Sequence, residues 1–364
     1  MLDARTLEML NRVDTPALLL DFDTLRNNIK TMAEFLKPLP ARLRPHFKTH
    51  KCTKIAKLQM EAGAIGVTCA KVSEAEILLG AGIRDILIAN QIVGSLKIER
   101  LMRLLGRGVD LKVAVDDEEN VRELSRATTA RDIELGVLVE VDIGMGRCGL
   151  APGGEMVQLC QFVDDSPNLV FRGLMGYEGH AVLTEDRDER QAQATKAMET
   201  LEHARNLVED AGLEVEIVSA GGTGTYDIAG RGPGVTEVQA GSYVVMDATY
   251  ARIRPEFKPA LSVLSTIVSR PRNGVAVADA GLKSITSEFG LPLVVLPGGV
   301  RVKKLAEEHA ILELEPTVDL KVGERVVLLP THCCTTVNLH EEFVVVERSK
   351  EYRRWPIEGR GKTQ

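Results

Sequence analysis

Two stretches of the sequence carry residues that together could bind a phosphorylated aldehyde. Lys48 lies in the stretch RPHFKTHK, and SAGGTGT occupies residues 219–225. A lysine amine that is desolvated has a lowered pKa and becomes nucleophilic toward carbonyl carbons. Glycines let backbone N–H groups approach an anion, and neighbouring hydroxyls can add hydrogen bonds to it. Pyridoxal 5′-phosphate (PLP) needs both a lysine for the imine and a cradle for the phosphate, so we expect this cofactor.

A third stretch, PTHCCTT, offers two metal ligands, His332 and Cys334. If the segment is extended, residues two apart project to the same side, so these two side chains would point together while Cys333 faces away. Imidazole and thiolate suit zinc, although a site completed by water could also hold manganese. Two protein ligands are too few for a closed structural site, so we expect an open divalent metal site. The alternative is that Cys334 is a small buried apolar residue.

Short apolar runs alternate with helical patterns between about residues 40 and 245. The runs are rich in β-branched residues and predict eight strands, which start near Leu43, Ile65, Asp85, Val109, Ile133, Leu169, Val215 and Glu237. An eightfold β–α alternation predicts an α/β fold of the (β/α)8 TIM-barrel type. A doubly wound open sheet is the alternative fold.

Polar residues and glycines follow the predicted strands, which is where the chemistry of such a barrel takes place. SAGGTGT follows the seventh strand. The candidate residues after the fifth, sixth and eighth strands are Arg147, Tyr177, Glu178, His180, Gly241, Ser242 and Tyr243. Phosphate sites in these barrels are commonly built from the loops after strands seven and eight. The alternative for SAGGTGT is a tight turn that binds nothing.

The pattern changes after about Pro255 to β-type runs such as LSVLSTIVSR, AILELE and RVVLLP, with little helical periodicity. We interpret these runs as a C-terminal antiparallel β domain that carries the His-x-Cys pair. The predicted domains are therefore residues 14–252 for the barrel and 253–364 for the β domain. Residues 1–13 could also pack against the β domain.

Composition excludes several classes of protein. The chain has 364 residues, 44% of them hydrophobic and 27% charged, as in ordinary folded domains. Its net charge of −7 argues against nucleic acid as a partner. No apolar run reaches the roughly 18 residues of a membrane helix, and the N-terminus lacks a secretory pattern. The six cysteines do not form a disulfide framework, so we expect a cytoplasmic protein with no membrane partner.

In combination and order, six motifs resemble the D-threonine aldolase and D-serine dehydratase family, over nearly the whole chain. They are RPHFKTHK, VEVDIGMGRCG, SAGGTGT, QAGSYVVMD, DAGLKS and PTHCCTTVNLHE. The resemblance implies an alanine-racemase-like PLP barrel in which Lys48 binds PLP, Arg147 lies near the cofactor ring and Tyr177 is an active-site residue. It also implies a homodimer and a divalent metal at His332 and Cys334 that engages the β-hydroxyl of the substrate. The residues that match phosphate-binding elements are Ser219, Gly221, Gly222, Thr223, Gly224, Gly241, Ser242 and Tyr243.

The resemblance further implies a lyase that acts on small D-3-hydroxy amino acids by one of two reactions. Dehydration gives a 2-oxo acid and ammonia, whereas retro-aldol cleavage of D-threonine gives glycine and an aldehyde. His332 and Cys334 match the His-x-Cys of D-serine and 3-hydroxy-D-aspartate dehydratases, while the family's aldolases usually carry His-x-Asp. QAGSYVVMDATY and TVNLHE look more like the aldolases. Dehydration is therefore the first hypothesis and D-threonine aldolase-type cleavage the second.

The loop after the sixth strand departs from the aldolase pattern. Aldolases of the family tend to have Tyr-His-Gly there, and this chain has Tyr177-Glu178-Gly179-His180. Our hypothesis is that Glu178 or His180 replaces the missing base, and the alternative is that one of them orders the loop. An amino-acid racemase on the same fold and a PLP-binding protein without activity are two further functions. The His-x-Cys pair argues against the racemase, and the β domain argues against the binding protein.

Overall fold

The structure is a computed structural model that describes residues 10–347 and 352–364. In chain order the strands are β1 Ala17–Asp21, β2 Arg42–Leu43, β3 Val67–Cys69, β4 Asp85–Gln91, β5 Asp110–Val115, β6 Leu135–Val141, β7 Leu169–Gly176, β8 Ile217–Ala220, β9 Glu237–Val238, β10 Leu261–Arg272, β11 Val275–Ala278, β12 Leu293–Leu296, β13 Val300–Leu305, β14 Ala310–Leu314, β15 Arg325–Leu329, β16 Glu342–Val346 and β17 Arg353–Pro356.

The helices are α1 Phe22–Leu36, α2 Thr53–Glu61, α3 Val72–Gly80, α4 Ser95–Leu105, α5 Glu118–Thr129, α6 Gly154–Asp164, α7 Arg187–Asp210, α8 Tyr226–Ala229, α9 Ala248–Ile253 and α10 Cys333–Val337, with short 3-10 turns at Phe47–Thr49 and Ser242–Val244. Within the part of the chain that the structure describes, no helix is long and apolar enough to cross a membrane.

The described residues divide into two compact units that alternate along the chain. The barrel unit contains Met32–Lys48, Ile55–Gly241 and Lys362–Gln364. The second unit contains residues 10–31, Thr49–Lys54, 242–347 and 352–361. The predicted boundary between residues 252 and 253 stays a prediction.

The barrel unit is an eight-stranded parallel sheet in the order β2-β9-β8-β7-β6-β5-β4-β3. A bridge between His46 and Thr68 joins the two ends of this order, and the Thr68 N–H donates to the Pro45 carbonyl over 3.0 Å. All eight predicted strands are present, so the predicted α/β barrel fold is confirmed. The closing bridge distinguishes the barrel from the doubly wound open sheet.

Alternating apolar residues explain why these strands close around a core. A cluster of buried side chains inside the barrel unit comes one from each of β4, β5, β6, β7 and β8, and consists of Leu87, Ala114, Leu138, Met175 and Ile217. Full burial of a large apolar side chain contributes about 1.5–3 kcal/mol. Side-chain caps begin α5 and α7, since the carboxylates of Asp117 and Asp186 accept the N–H groups of Asn120 and Glu189.

A glycine re-aims the strand that leads to Tyr177. The pairing of β6 with β7 shifts register beside Gly173, which has φ +136. A Cβ there would collide with the carbonyl oxygen of Ile217. Only glycine therefore permits this bulge, and a bulge changes the direction of the residues that follow it.

The second unit is a mostly antiparallel sheet in the order β13-β14-β11-β10-β1-β16-β17, with β15 between β10 and β12. The antiparallel β architecture predicted for the C-terminal region is confirmed. β1 also belongs to this sheet, where it pairs antiparallel with β10 and parallel with β16. Sequence analysis did not assign β1, β12, β13 or β17.

The N-terminal residues contribute to the core of the second unit. Leu10 and Val13 are buried in one cluster with Leu264, Val327 and Val344. They belong to the segment 1–13 that was expected to pack against the β domain, and its residues 1–9 lie outside the described residues.

Candidate active site

Lys48 stands in a short turn after the first barrel strand. β2 ends at Leu43, and the 3-10 turn Phe47–Thr49 follows it. The Lys48 N–H approaches Nδ1 of His46 at 3.4 Å, and His46 and Phe47 are buried. The side chain of Lys48 is exposed. The fixed backbone beneath an exposed side chain orients the lysine without burying it.

Two predicted site residues with cationic side chains, Lys48 and Arg147, lie near the ring of Tyr177. Tyr177 directly follows β7 and is half-buried. The Lys48 Nζ atom lies 5.8 Å from the centroid of its ring, and the guanidinium carbon of Arg147 lies 5.5 Å from the same centroid. Both distances fall within the range over which a cation is attracted to an aromatic face. Lys48 and Arg147, from two separate loops of the barrel unit, thus lie near the same aromatic ring.

A buried carboxylate stands behind Arg147. Glu140, near the end of β6, is 4% exposed, and one of its oxygens lies 3.7 Å from an Arg147 nitrogen. Its other oxygen accepts a hydrogen bond of 2.5 Å from the Gln91 amide. Burial raises the pKa of Glu140, and the hydrogen bond from Gln91 and the charge of Arg147 oppose this rise. Sequence analysis included Glu140 in the motif VEVDIGMGRCG but did not single it out as a site residue.

The loop that holds Arg147 is shaped by Asp142. One carboxylate oxygen of Asp142 accepts the N–H groups of Gly144 and Gly146, each over 3.0 Å. The bond from Gly146 comes first among the causes that lower the Asp142 pKa, and the His180 charge adds to them. His180 itself is exposed, and its ring lies 3.1 Å from where a Cβ on Gly144 would be. The structure therefore places His180 against the Arg147 loop.

The loop SAGGTGT is buried throughout and packed against the residues that follow Tyr177. A Cβ on Gly222 would lie 3.1 Å from Val182 and 3.2 Å from the Tyr177 ring. A Cβ on Gly224 would collide with the carbonyl oxygen of Val182. Ser219, at the end of β8, accepts a 2.9 Å hydrogen bond from Gln239. The loop backbone thus comes closer to its neighbours than side chains would allow, which is the property an anion cradle requires.

Glu178 lies beneath this loop and is 0% exposed. Its Oε1 atom accepts a hydrogen bond of 2.5 Å from the Thr225 hydroxyl, and its Oε2 accepts one of 3.2 Å from the Gly221 N–H. Burial raises the pKa of Glu178, although the bonds from Thr225 and Gly221 oppose the rise. Thr225 was not among the predicted site residues, because only the fold reveals its carboxylate partner.

The predicted elements after the eighth strand fall in both units. Gly241 ends a segment of the barrel unit, while Ser242 and Tyr243 begin a segment of the second unit. Tyr243 is 0% exposed, and its ring centroid lies 5.5 Å from that of Phe257. The Ser242 hydroxyl lies 3.8 Å from the Cys334 sulfur. Within its own unit, Ser242 is thus a neighbour of the predicted metal ligand.

The His-x-Cys segment is not extended, which corrects the geometric prediction. Cys333–Val337 forms α10, and His332 precedes it with an extended backbone at φ −141 and ψ 115. The side chains of His332 and Cys334 nevertheless hydrogen-bond to each other. The contact arises because the chain turns from extended to helical between the two residues. The Cys333 N–H donates to Asp247 over 2.9 Å, which fixes the start of α10.

Two neighbouring residues hold the His332 ring. Its Nδ1 atom lies 2.7 Å from a carboxylate oxygen of Glu288, and the ring stacks on Phe289 with centroids 4.4 Å apart. Sequence analysis missed both residues, since neither stands in a recognisable motif. Carboxylates commonly orient histidines that bind metals in this way.

Electrostatics prepares Cys334 to be a thiolate. The hydrogen bond with Cys333, followed by that with His332, holds the pKa of Cys334 well below its usual range, and Thr49 lies 3.4 Å from its sulfur. Burial lowers the His332 pKa, but its bonds to Cys334 and Glu288 outweigh burial and raise it to about 9. Burial raises the pKa of Cys333 well above its usual range. A thiolate beside an imidazole is a donor pair that suits zinc.

The barrel places this protein in the alanine-racemase-like class of α/β folds. Residues 20–249 match the family "alanine racemase, N-terminal domain", and residues 260–346 match a serine dehydratase-like domain family. The chain belongs to the D-threonine aldolase and D-serine dehydratase family, whose members are PLP-dependent lyases. The resemblance stated from the sequence motifs is therefore confirmed.

Relatives of both reaction types are similar over nearly their whole length. The 3-hydroxy-D-aspartate aldolase of Paracoccus denitrificans is 37% identical over 362 residues, which cover 97% of this chain and 93% of the relative. The crystal structure of a D-threonine aldolase from Filomicrobium marinum is 39% identical, with a TM-score of 0.94 and 98% of each chain covered.

A solved dehydratase is also similar. The D-threo-3-hydroxyaspartate dehydratase from Delftia sp. HT23 is 28% identical, with a TM-score of 0.88, and the match covers 95% of this chain and 98% of the dehydratase. A variant of that dehydratase with a cysteine replaced by alanine was solved in a metal-free form.

Proposed function

We propose that this protein is a PLP-dependent lyase of D-3-hydroxy amino acids that also uses a divalent metal ion. The observation that carries the proposal is the approach of Lys48 and Arg147 to the Tyr177 ring. The aldolases and dehydratases among its relatives support the class of substrate.

The residues of the barrel unit fit PLP. The exposed Lys48 amine can reach a carbonyl carbon, and the guanidinium of Arg147 can pair with an anionic oxygen of the cofactor ring. The close-packed loop of residues 219–225 combines three glycines with hydroxyl residues, which is the composition that a phosphate cradle requires. Its candidates for phosphate binding are Ser219, Gly221, Gly222, Thr223 and Gly224. Gly241, Ser242 and Tyr243 stay candidates from the sequence.

The residues of the second unit fit a metal. His332 and Cys334 supply nitrogen and sulfur ligands, and Glu288 orients the histidine. Zinc prefers these ligands, and manganese is the alternative. A D-threo-3-hydroxyaspartate dehydratase with a cysteine replaced by alanine was solved in a metal-free form, which supports a metal site in the family.

The residues divide the chemistry between them. Bound PLP withdraws the negative charge that develops on the substrate Cα. The Lys48 amine would hold the cofactor and serve as the base for the Cα proton in dehydration. The Tyr177 ring lies beside the Lys48 amine and would orient it. A metal at His332 and Cys334 supplies Lewis acid chemistry to the β-hydroxyl.

We propose dehydration as the reaction, because a thiolate ligand at Cys334 matches the dehydratase type of metal site. Retro-aldol cleavage is the second candidate, and the identity of 37% to a 3-hydroxy-D-aspartate aldolase favours it. His180 is exposed and lies beside the Arg147 loop, so it is the candidate for the proton transfer that cleavage requires.

A product assay tests the reaction. The enzyme is incubated with D-threonine, D-serine and 3-hydroxy-D-aspartate, with and without EDTA. A 2-oxo acid and ammonia support dehydration, whereas glycine and an aldehyde identify aldol cleavage. Activity that EDTA leaves unchanged contradicts the metal, and formation of the L-enantiomer alone contradicts both lyase reactions.

A trapping experiment tests the cofactor separately. Borohydride reduction should fix PLP covalently on the Lys48 peptide of the wild type, as located by mass spectrometry. Lys48→Ala should lack this adduct and lose activity by about 10²–10⁴-fold. Lys57→Ala changes an exposed lysine of the same unit and should behave as the wild type. A wild-type protein that traps no PLP overturns the proposal.

The homodimer, the cytoplasmic location and the absence of nucleic-acid and membrane partners stay predictions from the sequence.

A further inference from the structure

Glu178 is a buried acid to which the proposed mechanism gives no task. It follows Tyr177 directly and is 0% exposed. A carboxyl group withdrawn from water is costly unless hydrogen bonds compensate it. The Thr225 hydroxyl and the Gly221 N–H, both from the loop of residues 219–225, donate hydrogen bonds to its carboxyl, so this loop compensates its burial.

The hydrogen bonds form a closed network. The Gly222 N–H donates to the Thr225 hydroxyl over 3.2 Å, and that hydroxyl donates in turn to Oε1 of Glu178. The Gly221 N–H donates to Oε2 of the same carboxyl. Two successive peptide groups of the loop are thereby fixed through one side chain. Glycine has more conformational freedom than any other residue, so a loop with three glycines needs such a restraint.

A second contact locks the same two segments together. The residues after Glu178 bring the Val182 carbonyl so close to Gly224 that a Cβ there would collide with it. The Ala181 N–H closes a turn on the Glu178 carbonyl over 2.9 Å, which holds Val182 in place. Glu178 thus restrains the loop at Gly221 and Thr225, and the turn that it begins restrains Gly224 between them.

We propose that Glu178 is a positioning residue that holds the loop of residues 219–225 in its phosphate-binding conformation, and that it is not the substitute base. The inference rests on the proposed function, because it concerns the phosphate of PLP. A base must reach the proton that it removes, and Glu178 is fully buried with both oxygens bonded to the loop.

Cofactor binding with and without the phosphate group tests the role. Apoprotein is prepared for the wild type, Glu178→Ala, Glu178→Gln, Thr225→Val and Thr225→Ser, and titrated with PLP and with pyridoxal. Glu178→Ala and Thr225→Val should each weaken PLP binding about tenfold or more. The first variant leaves the Gly221 N–H and the Thr225 hydroxyl without their acceptor, and the second removes the hydroxyl that donates to the Glu178 carboxyl. Pyridoxal binding should stay unchanged, since pyridoxal lacks the phosphate. Thr225→Ser keeps the hydroxyl and should bind PLP as the wild type does.

Kinetics at saturating PLP separates positioning from base catalysis. Glu178→Gln keeps one oxygen to accept from Thr225 and should retain kcat within a few-fold, with an unchanged pH profile. A loss of about 10²-fold or more, as expected for removal of a general base, overturns the inference. Wild-type PLP affinity in Glu178→Ala and Thr225→Val, or an equal loss for pyridoxal, also overturns it.

Two controls complete the design. Circular dichroism checks that each variant is folded, and if Glu178→Ala does not fold, Thr225→Val and Glu178→Gln carry the comparison. A wild-type apoprotein that binds neither PLP nor pyridoxal refutes the proposed function, and this inference with it. Failure of the inference alone is recognised by normal wild-type binding together with unaffected variants.

Discussion

The Nδ1 atom of His332 lies 2.7 Å from a carboxylate oxygen of Glu288, a residue 44 positions earlier in the chain. This contact leaves the opposite ring nitrogen for Cys334 or a metal ion. A carboxylate partner fixes the orientation of an imidazole and increases its strength as a ligand.

Removing the Glu288 carboxylate should weaken metal binding. Glu288→Ala is expected to lower zinc affinity by about 10–100-fold, the usual effect of losing such a partner. Competition with a chromogenic chelator measures this affinity without reference to activity. Glu134→Gln alters an exposed acid in the barrel unit and serves as the control. Equal zinc affinity in both variants would show that Glu288 does not support the metal.

Replacing Cys334 by aspartate should change the ratio of products. A carboxylate donates less charge to a metal than a thiolate does, so a bound β-hydroxyl should become more acidic. Cys334→Asp is therefore expected to raise aldol cleavage relative to dehydration by about tenfold, which corresponds to ~1.4 kcal/mol between the two barriers. Aldehyde and 2-oxo acid are quantified from the same reaction. An unaltered ratio would mean that the ligand type does not select the reaction.

The close approach at Gly224 should make that position intolerant of a side chain. Gly224→Ala forces its Cβ onto the Val182 carbonyl oxygen and should destabilise the protein by about 1–3 kcal/mol. Gly154→Ala is the matched control, because a Cβ at Gly154 meets no atom within 4 Å and this position lies in the first turn of α6. Urea unfolding compares the two variants. A stability of Gly224→Ala equal to that of the control would contradict the packing described.

Glu178 should give the stability of the protein a dependence on pH. Burial raises its pKa above the ordinary 4.5 in the folded state, so the folded protein favours the neutral acid. The stability that Glu178 contributes is fully present below its pKa in the unfolded chain. This stability is lost as the pH rises through its pKa in the folded protein. The unfolding free energy of the wild type minus that of Glu178→Gln should therefore fall as the pH increases from 4.5. A difference that is the same at every pH refutes the predicted titration.

Much of the barrel could be predicted from the sequence because its signals are local. Each strand is a short run of β-branched residues, and each helix has its own apolar periodicity, so both are visible without knowledge of the partner. Lys48, the loop SAGGTGT and the His-x-Cys pair were found because lysine, glycine, histidine and cysteine have distinctive chemistry at short spacing.

The structural features that sequence analysis missed or left open depend on contacts between residues that are far apart in the sequence. β1 precedes the barrel strands in the sequence, yet it pairs with β10 and β16 of the second unit. Packing against these strands, rather than the composition of β1 itself, determines this pairing. The extended geometry considered for the segment after His332 does not occur, because Asp247 accepts the Cys333 N–H and supports a helix there.

Glu288 and Glu178 show most clearly what the sequence determines and what only the tertiary structure determines. The sequence alone determined the kinds of element, their order along the barrel and the residue types available for PLP and a metal, because these depend on neighbours a few positions apart. Only the tertiary structure decided that Glu288 holds His332 and that Glu178 is buried beneath the glycine loop. Hydrogen bonds between residues 44 and 47 positions apart form only when the fold brings their elements together, and no local pattern records them.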